Sequence, residues 1–458
     1  MSYYIIQNPL HGYAVEFIKR IHARFGYTPI CIFTNLRGRY YYERQYPILA
    51  ELAPDTRFDS TREGLPALAA RLREKYTSIV GIVPFSEDSL DDAPRLIELF
   101  GLDWNPPALI ARFREKNAFK THIARKNHAI RLNRHFIVRG PADLETDLPA
   151  RFVLKPNDGA GSVGVGVFRR ETPKPELARF LAGQAGKTFI LEEFVDGLLH
   201  TIDGLVDERG EIHIAAVFTS ARTSANGSDV VYGDGWLIHQ NNPIFGELSR
   251  YARQVMTASE LRRSPFHMEV IVDAQGPCLV EVAARLIGSG GAFTCSDVHR
   301  NRFNFFDAAA HAYLSPRPYG ELGFDWDYYN SIQAMELAGI SYKAGLVVRT
   351  GGVEAVERLP EFKRWHSKPK AGQWIQPTTN LGNGSYGLLL IGKGTLAELR
   401  TVGETVHRMI KLDVEGPFLS KLRLHLARGL RLVRLRLGWS AFRALSALKR
   451  KIFSEPII

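Results

Sequence analysis

The chain has 458 residues, of which 45% are apolar and 23% charged; this is the composition of a soluble globular protein too long for one ordinary core, so two or three domains are expected. Its net charge of +11 invites a nucleic-acid partner, yet between Leu419 and Ile458 ten basic residues meet one acid, Glu455, so nine of those charges sit in that stretch. The rest is nearly neutral and carries no recognised reading module, which argues against a nucleic-acid enzyme.

Short β-rich runs alternate with helical stretches over the first hundred residues. Tyr3 to Gln7, Pro29 to Thr34 and Ser78 to Val83 read as buried strands, with helices at Ala14 to Phe25 and Leu65 to Tyr76 between them. Such alternation predicts a parallel α/β domain, in which ligands approach the carboxyl ends of the strands. Ser86, Glu87 and Asp88 fall at such an end, although Glu87 reads equally well as a first-turn helix acid. A charged helical stretch, Ala111 to Lys126, leads into a second region dense in strands and glycines.

Lys155-Pro-Asn-Asp-Gly-Ala-Gly-Ser-Val-Gly164 contains Gly159-x-Gly161-x-x-Gly164, a spacing known from dinucleotide-binding loops. A helix should follow the glycines there, whereas Val165 to Phe168 alternates as a strand does. With Arg151 to Lys155 before it, the segment reads as a β-loop-β element. Such a glycine-rich flap, including Ser162, can offer backbone N–H donors to phosphates with Lys155 as a point charge at its base; the plain alternative is an ordinary hairpin. Downstream, Phe189-Ile-Leu-Glu-Glu-Phe-Val195 ends a strand in a short acidic and aromatic turn before another strand begins.

Phe266 to Arg285 reads as two antiparallel strands around the turn residues Asp273 to Pro277. A turn centred near Gln275 places Glu269 opposite Glu281, with Glu281, Ala283 and Arg285 on the same face. Two directly opposed carboxylates repel unless something positive lies between them, and a hard divalent cation with phosphate oxygens is the natural candidate. An edge hairpin whose charges face water is the bland alternative.

Past Pro316 and Pro318, strands at Ala344 to Thr350 and Tyr386 to Ile391 suggest a smaller third domain. In the tail, Leu422, Leu426, Leu430, Val433 and Leu437 recur at helical spacing among arginines. This basic amphipathic stretch suits an anionic membrane, an acidic carrier protein, or packing on the body or a second subunit. Cys31, Cys278 and Cys295 lack metal-ligand spacing and imply a reduced compartment, and the N-terminus lacks the pattern of a signal peptide; a cytoplasmic protein is expected.

In their order, a lysine on a helix, Lys-Pro with a glycine flap, Glu-Glu-Phe-Val, and Glu followed by Glu-x-x-x-Arg resemble the ATP-grasp superfamily. The likeness is greatest to its carboxylate–amine and L-amino acid (dipeptide) ligases, relatives of biotin carboxylase. The resemblance implies an α/β chain, α+β in its central and C-terminal parts. A Rossmann-like domain at 1–105 would precede an ATP-grasp domain at 106–315, a small domain at 316–415 and the tail at 416–458. It further implies that Lys116 and Lys155 contact ATP phosphates beneath Gly159, Gly161, Ser162 and Gly164. Glu192, Glu193, Phe194 and Val195 would receive the adenine and His200 the ribose. Glu269 and Glu281 would bind Mg2+ or Mn2+, and Arg285 would stabilise the transferring phosphoryl group. For Lys116 a solvated helix face, shared with Arg112, Arg114 and Lys120, is the plain alternative. Relatives often carry Asn where this chain has Ala283, which leaves the number of metal ions open.

Such a site needs no protein nucleophile. A carboxylate would attack the γ-phosphate of ATP, giving an acyl phosphate and ADP, and an amine would displace phosphate. Amino acids are the expected small-molecule substrates, with the Ser289-Gly290-Gly291 loop beside the carboxylate, and a homo-oligomer is expected. The competing expectations are transfer to a carrier or coenzyme A thiol, and an ATP-binding regulator without turnover.

Overall fold

The computed structural model describes residues 2–9, 12–33, 57–59, 64–145, 147–184, 186–288, 290–299, 303–315 and 323–416. The amphipathic tail and Ser289 therefore lie outside the described residues. Strands β1 (Tyr3–Gln7), β2 (Thr28–Phe33), β3 (Arg57–Asp59) and β4 (Ile79–Pro84) form a parallel sheet in the order β3-β2-β1-β4. Tyr4, Ile5 and Ile6 are all fully buried, as the near-continuous apolar run of a two-sided parallel strand requires. The helices Ala14–Phe25 and Leu65–Lys75 connect these strands. The first helix is locked to the later helix Phe305–Leu314 by buried Asp307, which accepts from Arg20 Nη1 at 2.7 Å and Arg24 Nε at 2.9 Å.

A second, antiparallel sheet contains β5 (His135–Val138), β6 (Arg151–Pro156), β7 (Gly166–Arg169) and β8 (Phe189–Glu193), ordered β5-β8-β6-β7. Its own small core includes Val138, Phe152, Leu154, Phe189 and Leu191. Opposite it stands a larger antiparallel sheet drawn from both sides of residue 315. It combines β9 (Leu198–Val206), β10 (Ile212–Ala225), β11 (Ser228–Leu237), β12 (Ser264–Asp273) and β13 (Gly276–Ala283) with later strands. Of these, β14 (Gln333–Gly339) pairs with β11. Four more elements, β15 (Gly345–Gly351), β16 (Phe362–Ser367), β17 (Trp374–Ile375) and β18 (Tyr386–Gly392), precede the terminal β19 (Lys411–Glu415). The large sheet runs β13-β12-β9-β10-β11-β14-β18-β16, and β17-β15-β19 make a separate three-stranded sheet. Among the described residues no helix is long and apolar enough to cross a membrane.

The charged stretch expected as one helix from Ala111 to Lys126 is two helices, Pro107–Arg114 and Lys116–Lys126, parted at Glu115, which is extended with φ −104° and ψ 100°. The break frees the first-turn N–H groups of the second helix to bond elsewhere. Asn157, at the root of the glycine loop, takes them: its carbonyl accepts from Lys116 N and its Oδ1 from Asn117 N, both at 3.0 Å.

Candidate functional site

A cavity opens between the antiparallel β5-β8-β6-β7 sheet and the eight-stranded sheet. Its walls bring together Lys116, Lys155, Gly159, Gly161, Ser162, Glu192 to Val195, Glu269 and Glu281. A small adjoining space shares Lys116 and Glu281 and adds Glu87, Lys120, Ala283 and Arg285.

The β12–β13 hairpin sets the two carboxylates face to face, with Glu269 paired to Glu281. This register depends on a bulge. From the turn, Asp273 pairs with Gly276 and Val270 with Leu279, and Val280 is then the extra residue that returns Glu281 opposite Glu269. The Val280 carbonyl accepts from Lys155 Nζ at 3.4 Å. Such a pair of hard oxygen donors fits a divalent cation that keeps phosphate oxygens among its ligands. Each carboxylate is also engaged by the protein. Lys116 Nζ lies 3.1 Å from Glu281 Oε2, Tyr232 Oη donates to Glu269 Oε1 at 2.7 Å, and Arg222 Nη2 is 3.5 Å from Glu269 Oε2. Burial pushes the Glu281 carboxyl up, but Lys116 and Lys155 outweigh it and hold the group below the usual range.

Lys116 and Lys120 are buried, not a solvated helix face. One turn apart on the helix, they face the same interior. Lys120 Nζ lies 2.7 Å from Glu192 Oε1, and Lys155 Nζ lies 2.8 Å from Glu192 Oε2. Burial alone would raise the Glu192 carboxyl; the two lysines overcome it and lower it from 4.5 to about 2. Glu193 has its backbone engaged, its carbonyl accepting from Asn133 Nδ2 at 2.9 Å and its N–H donating to Arg134 O at 2.8 Å. The Arg151 guanidinium covers the Phe194 ring at 3.6 Å.

Between β6 and β7 the glycine loop needs left-handed backbone, with φ +65° at Gly161, +59° at Ser162 and +75° at Gly164. Glycine meets this without strain. The loop is tied across the cavity: Gly161 O accepts from Leu381 N at 3.3 Å, and Arg222 Nη1 donates to Ser162 Oγ at 3.3 Å. Gly164 O accepts from Gln184 Nε2 at 3.2 Å.

Arg285 follows β13 and reaches Glu87, at the carboxyl end of β4 in the first sheet, with Nε 2.5 Å from Glu87 Oε2. Arg114 Nη1 donates to the other oxygen at 2.6 Å. Against the upward push of burial, Arg285 and Arg114 lower the Glu87 carboxyl from 4.5 to about 2. Glu87 and Glu192 are thus both depressed on folding. The stabilisation each gives is fully present above about pH 4.5 and is lost as pH falls towards about 2. Urea midpoints measured down this acid range should fall more steeply for the wild type than for Glu87→Gln; parallel limbs would show the clamp to be ineffective.

His200, expected at the ribose, is not brought to the cavity. Leu199 lines it, so the next side chain on β9 points to the other face. There His200 is buried, with Nδ1 2.9 Å from Thr219 Oγ1, and burial lowers its pKa to about 4. Residues not expected from the sequence are Lys120, Arg222 and Tyr232. Lys120 had a signal in its i,i+4 spacing from Lys116; Arg222 and Tyr232 meet Glu269 through sheet order alone. Ala283 faces His267, whose Nδ1 lies 3.0 Å from Asp203 Oδ1.

Residues 148–294, which hold the glycine loop, the Glu192 to Val195 turn and the carboxylate hairpin, match the ATP-grasp domain family. The chain carries an ATP-grasp domain. Its two sheets and the cavity between them have the ATP-grasp fold, which extends beyond the matched residues. An L-amino acid ligase from Bacillus licheniformis superposes with a TM-score of 0.72 at 18% identity, covering 91% of this chain and 99% of that one. A biotin carboxylase from Campylobacter jejuni superposes at 0.60 with 12% identity, covering 90% and 92%. In sequence, dapdiamide A synthase of Enterobacter agglomerans is 26% identical over 200 residues, 39% of this chain. That alignment spans 46% of the synthase, about half its length. The expected break at Pro316 and Pro318 falls outside the described residues.

Proposed function

We propose that this chain is an ATP-dependent carboxylate–amine ligase that forms an amide bond through an acyl phosphate, releasing ADP and phosphate. The observation that carries the reading is the pair Glu269 and Glu281, face to face beside Lys116 and Lys155 in the cavity between the two sheets. The backbone of Glu192 to Val195 is assigned to the adenine, and the glycine loop from Gly159 to Gly164 to the phosphates. Glu269 and Glu281 would hold Mg2+ or Mn2+, whose chemistry there is to neutralise phosphate charge. Lys116 and Lys155 orient the triphosphate, and Arg285 meets charge that develops on the phosphoryl group.

The acid substrate's oxygen bonds to the γ-phosphorus as ADP leaves; the amine nitrogen then bonds to the acyl carbon, losing a proton, as phosphate leaves. The glycine loop keeps water from the acyl phosphate. An L-amino acid ligase shares the fold over nine-tenths of the chain, which favours amino acids as both acid and amine. Incubation with ATP, Mg2+ and amino-acid pairs should release ADP and phosphate in step with dipeptide; AMP and pyrophosphate would reject the mechanism.

The acid is assigned to the segment after Arg285. There a Cβ on Gly290 would be driven into the His366 ring from β16, so the backbone must shift to admit it. Gly290→Ala is expected to lower kcat/KM for the acid by about a hundredfold while leaving nucleotide affinity intact. An unchanged kcat/KM would remove the acid from this segment.

A further inference from the structure

Each facing carboxylate already has a cation supplied by the protein. Lys116 Nζ sits 3.1 Å from Glu281, and Arg222 Nη2 sits 3.5 Å from Glu269. The same two side chains also hold the glycine loop, Lys116 through the Gly159 carbonyl and Arg222 through Ser162 Oγ at 3.3 Å. Lys155 stands close by but is committed to Glu192 at 2.8 Å. Arg222 is further braced by the Tyr232 ring, 4.0 Å from its guanidinium carbon, and by the Val230 carbonyl at 2.9 Å.

A divalent cation arriving alone must push both positive groups off their carboxylates while offering them no anion in exchange. Desolvated like charges at this range repel strongly. A triphosphate changes the balance, because it supplies oxygens to which a flexible lysine and a planar guanidinium can both transfer. We infer that Lys116 and Arg222 are resident counter-ions that make metal and nucleotide load together, and that their transfer to phosphate releases the glycine loop from the carboxylate hairpin. This rests on the nucleotide-binding reading above and adds an order of binding to it. Lys116 and Arg222 thereby act as positioning residues before any chemistry begins.

The test is a titration of the full chain with Mn2+, bound metal being followed by electron paramagnetic resonance, alone and with a non-hydrolysable nucleoside triphosphate analogue. Metal alone should bind about a hundredfold more weakly than metal with the analogue. Lys116→Gln and Arg222→Gln should each tighten metal binding in the absence of nucleotide by about tenfold, and weaken analogue binding measured in chelator. Arg222→Lys, which keeps the charge, should leave metal binding as in the wild type. Equal metal affinity with and without analogue overturns the ordered loading on the wild type alone, whatever the variants do to folding. Glutamine variants that melt normally yet bind free metal no better overturn it too. Failure of the analogue to bind in any arm overturns the nucleotide reading itself, and this inference with it.

Discussion

Glu281→Gln is expected to lower turnover by about a thousandfold with nucleotide binding, measured in chelator, largely retained. The substitution keeps shape and leaves an amide oxygen for Lys116 Nζ, now 3.1 Å from the carboxylate, but removes one of the two facing anions. The residues assigned to adenine, Glu192 to Val195, lie at the end of β8 and just beyond it, away from the hairpin's own strands, and are unchanged. Nucleotide affinity by calorimetry and phosphate release by a coupled assay separate the two effects. Full activity in this variant would dismiss the paired carboxylates as the metal end of the site. Loss of nucleotide binding along with activity would point to a structural lesion instead.

Lys120→Met is expected to destabilise the fold by about 3 kcal/mol. Lys120 is 1% exposed and shares Glu192 with Lys155. Burial lowers its pKa, and Glu192 only partly offsets that. Removing one lysine leaves a buried carboxylate facing half of its compensation, and Asn133 Oδ1, which accepts from Lys120 Nζ at 2.8 Å, loses its donor. Urea unfolding gives the loss directly. The double variant Lys120→Met, Glu192→Gln should recover part of it, because the orphaned charge is gone. A single variant as stable as the wild type would mean that water reaches this cluster.

Local patterns made much of the fold legible before any coordinates. Helix Ala14–Phe25 and β1 stand where periodicity placed them, and the glycine segment is the antiparallel β-loop-β element that its alternation implied. The facing of Glu269 and Glu281 was legible because both lie near equal distance from one turn. Its means was not: a bulge obeys strand twist and pairing, and nothing in Leu279-Val-Glu281 marks it. Glu115 hid the helix break for a similar reason, since its extended backbone answers to Asn157, about forty residues away. Arg222 and Tyr232 look like ordinary polar strand residues until β9, β10 and β11 are laid beside β12. His200 went astray because a motif's spacing gives a position along a strand, while a face is decided by the pleat. The basic amphipathic tail lies outside the described residues.

The bulge at Val280 gives the hairpin a division of labour along its length. Residues on the turn side of it keep one register and those on the site side another, so Glu281 meets Glu269 although it lies one residue farther from the turn. Deleting Val280 would erase the bulge and leave Glu281 opposite Glu269 in one unbroken register, but it would take away the carbonyl that accepts from Lys155 Nζ and the twist that the bulge adds, a lesion that no tally of retained carboxylates would reveal. Lengthening the loop at Ala274 and Gln275 leaves both registers alone. The tip of this hairpin is therefore a place where a reporter group or affinity handle could be spliced in close to the cavity without altering it.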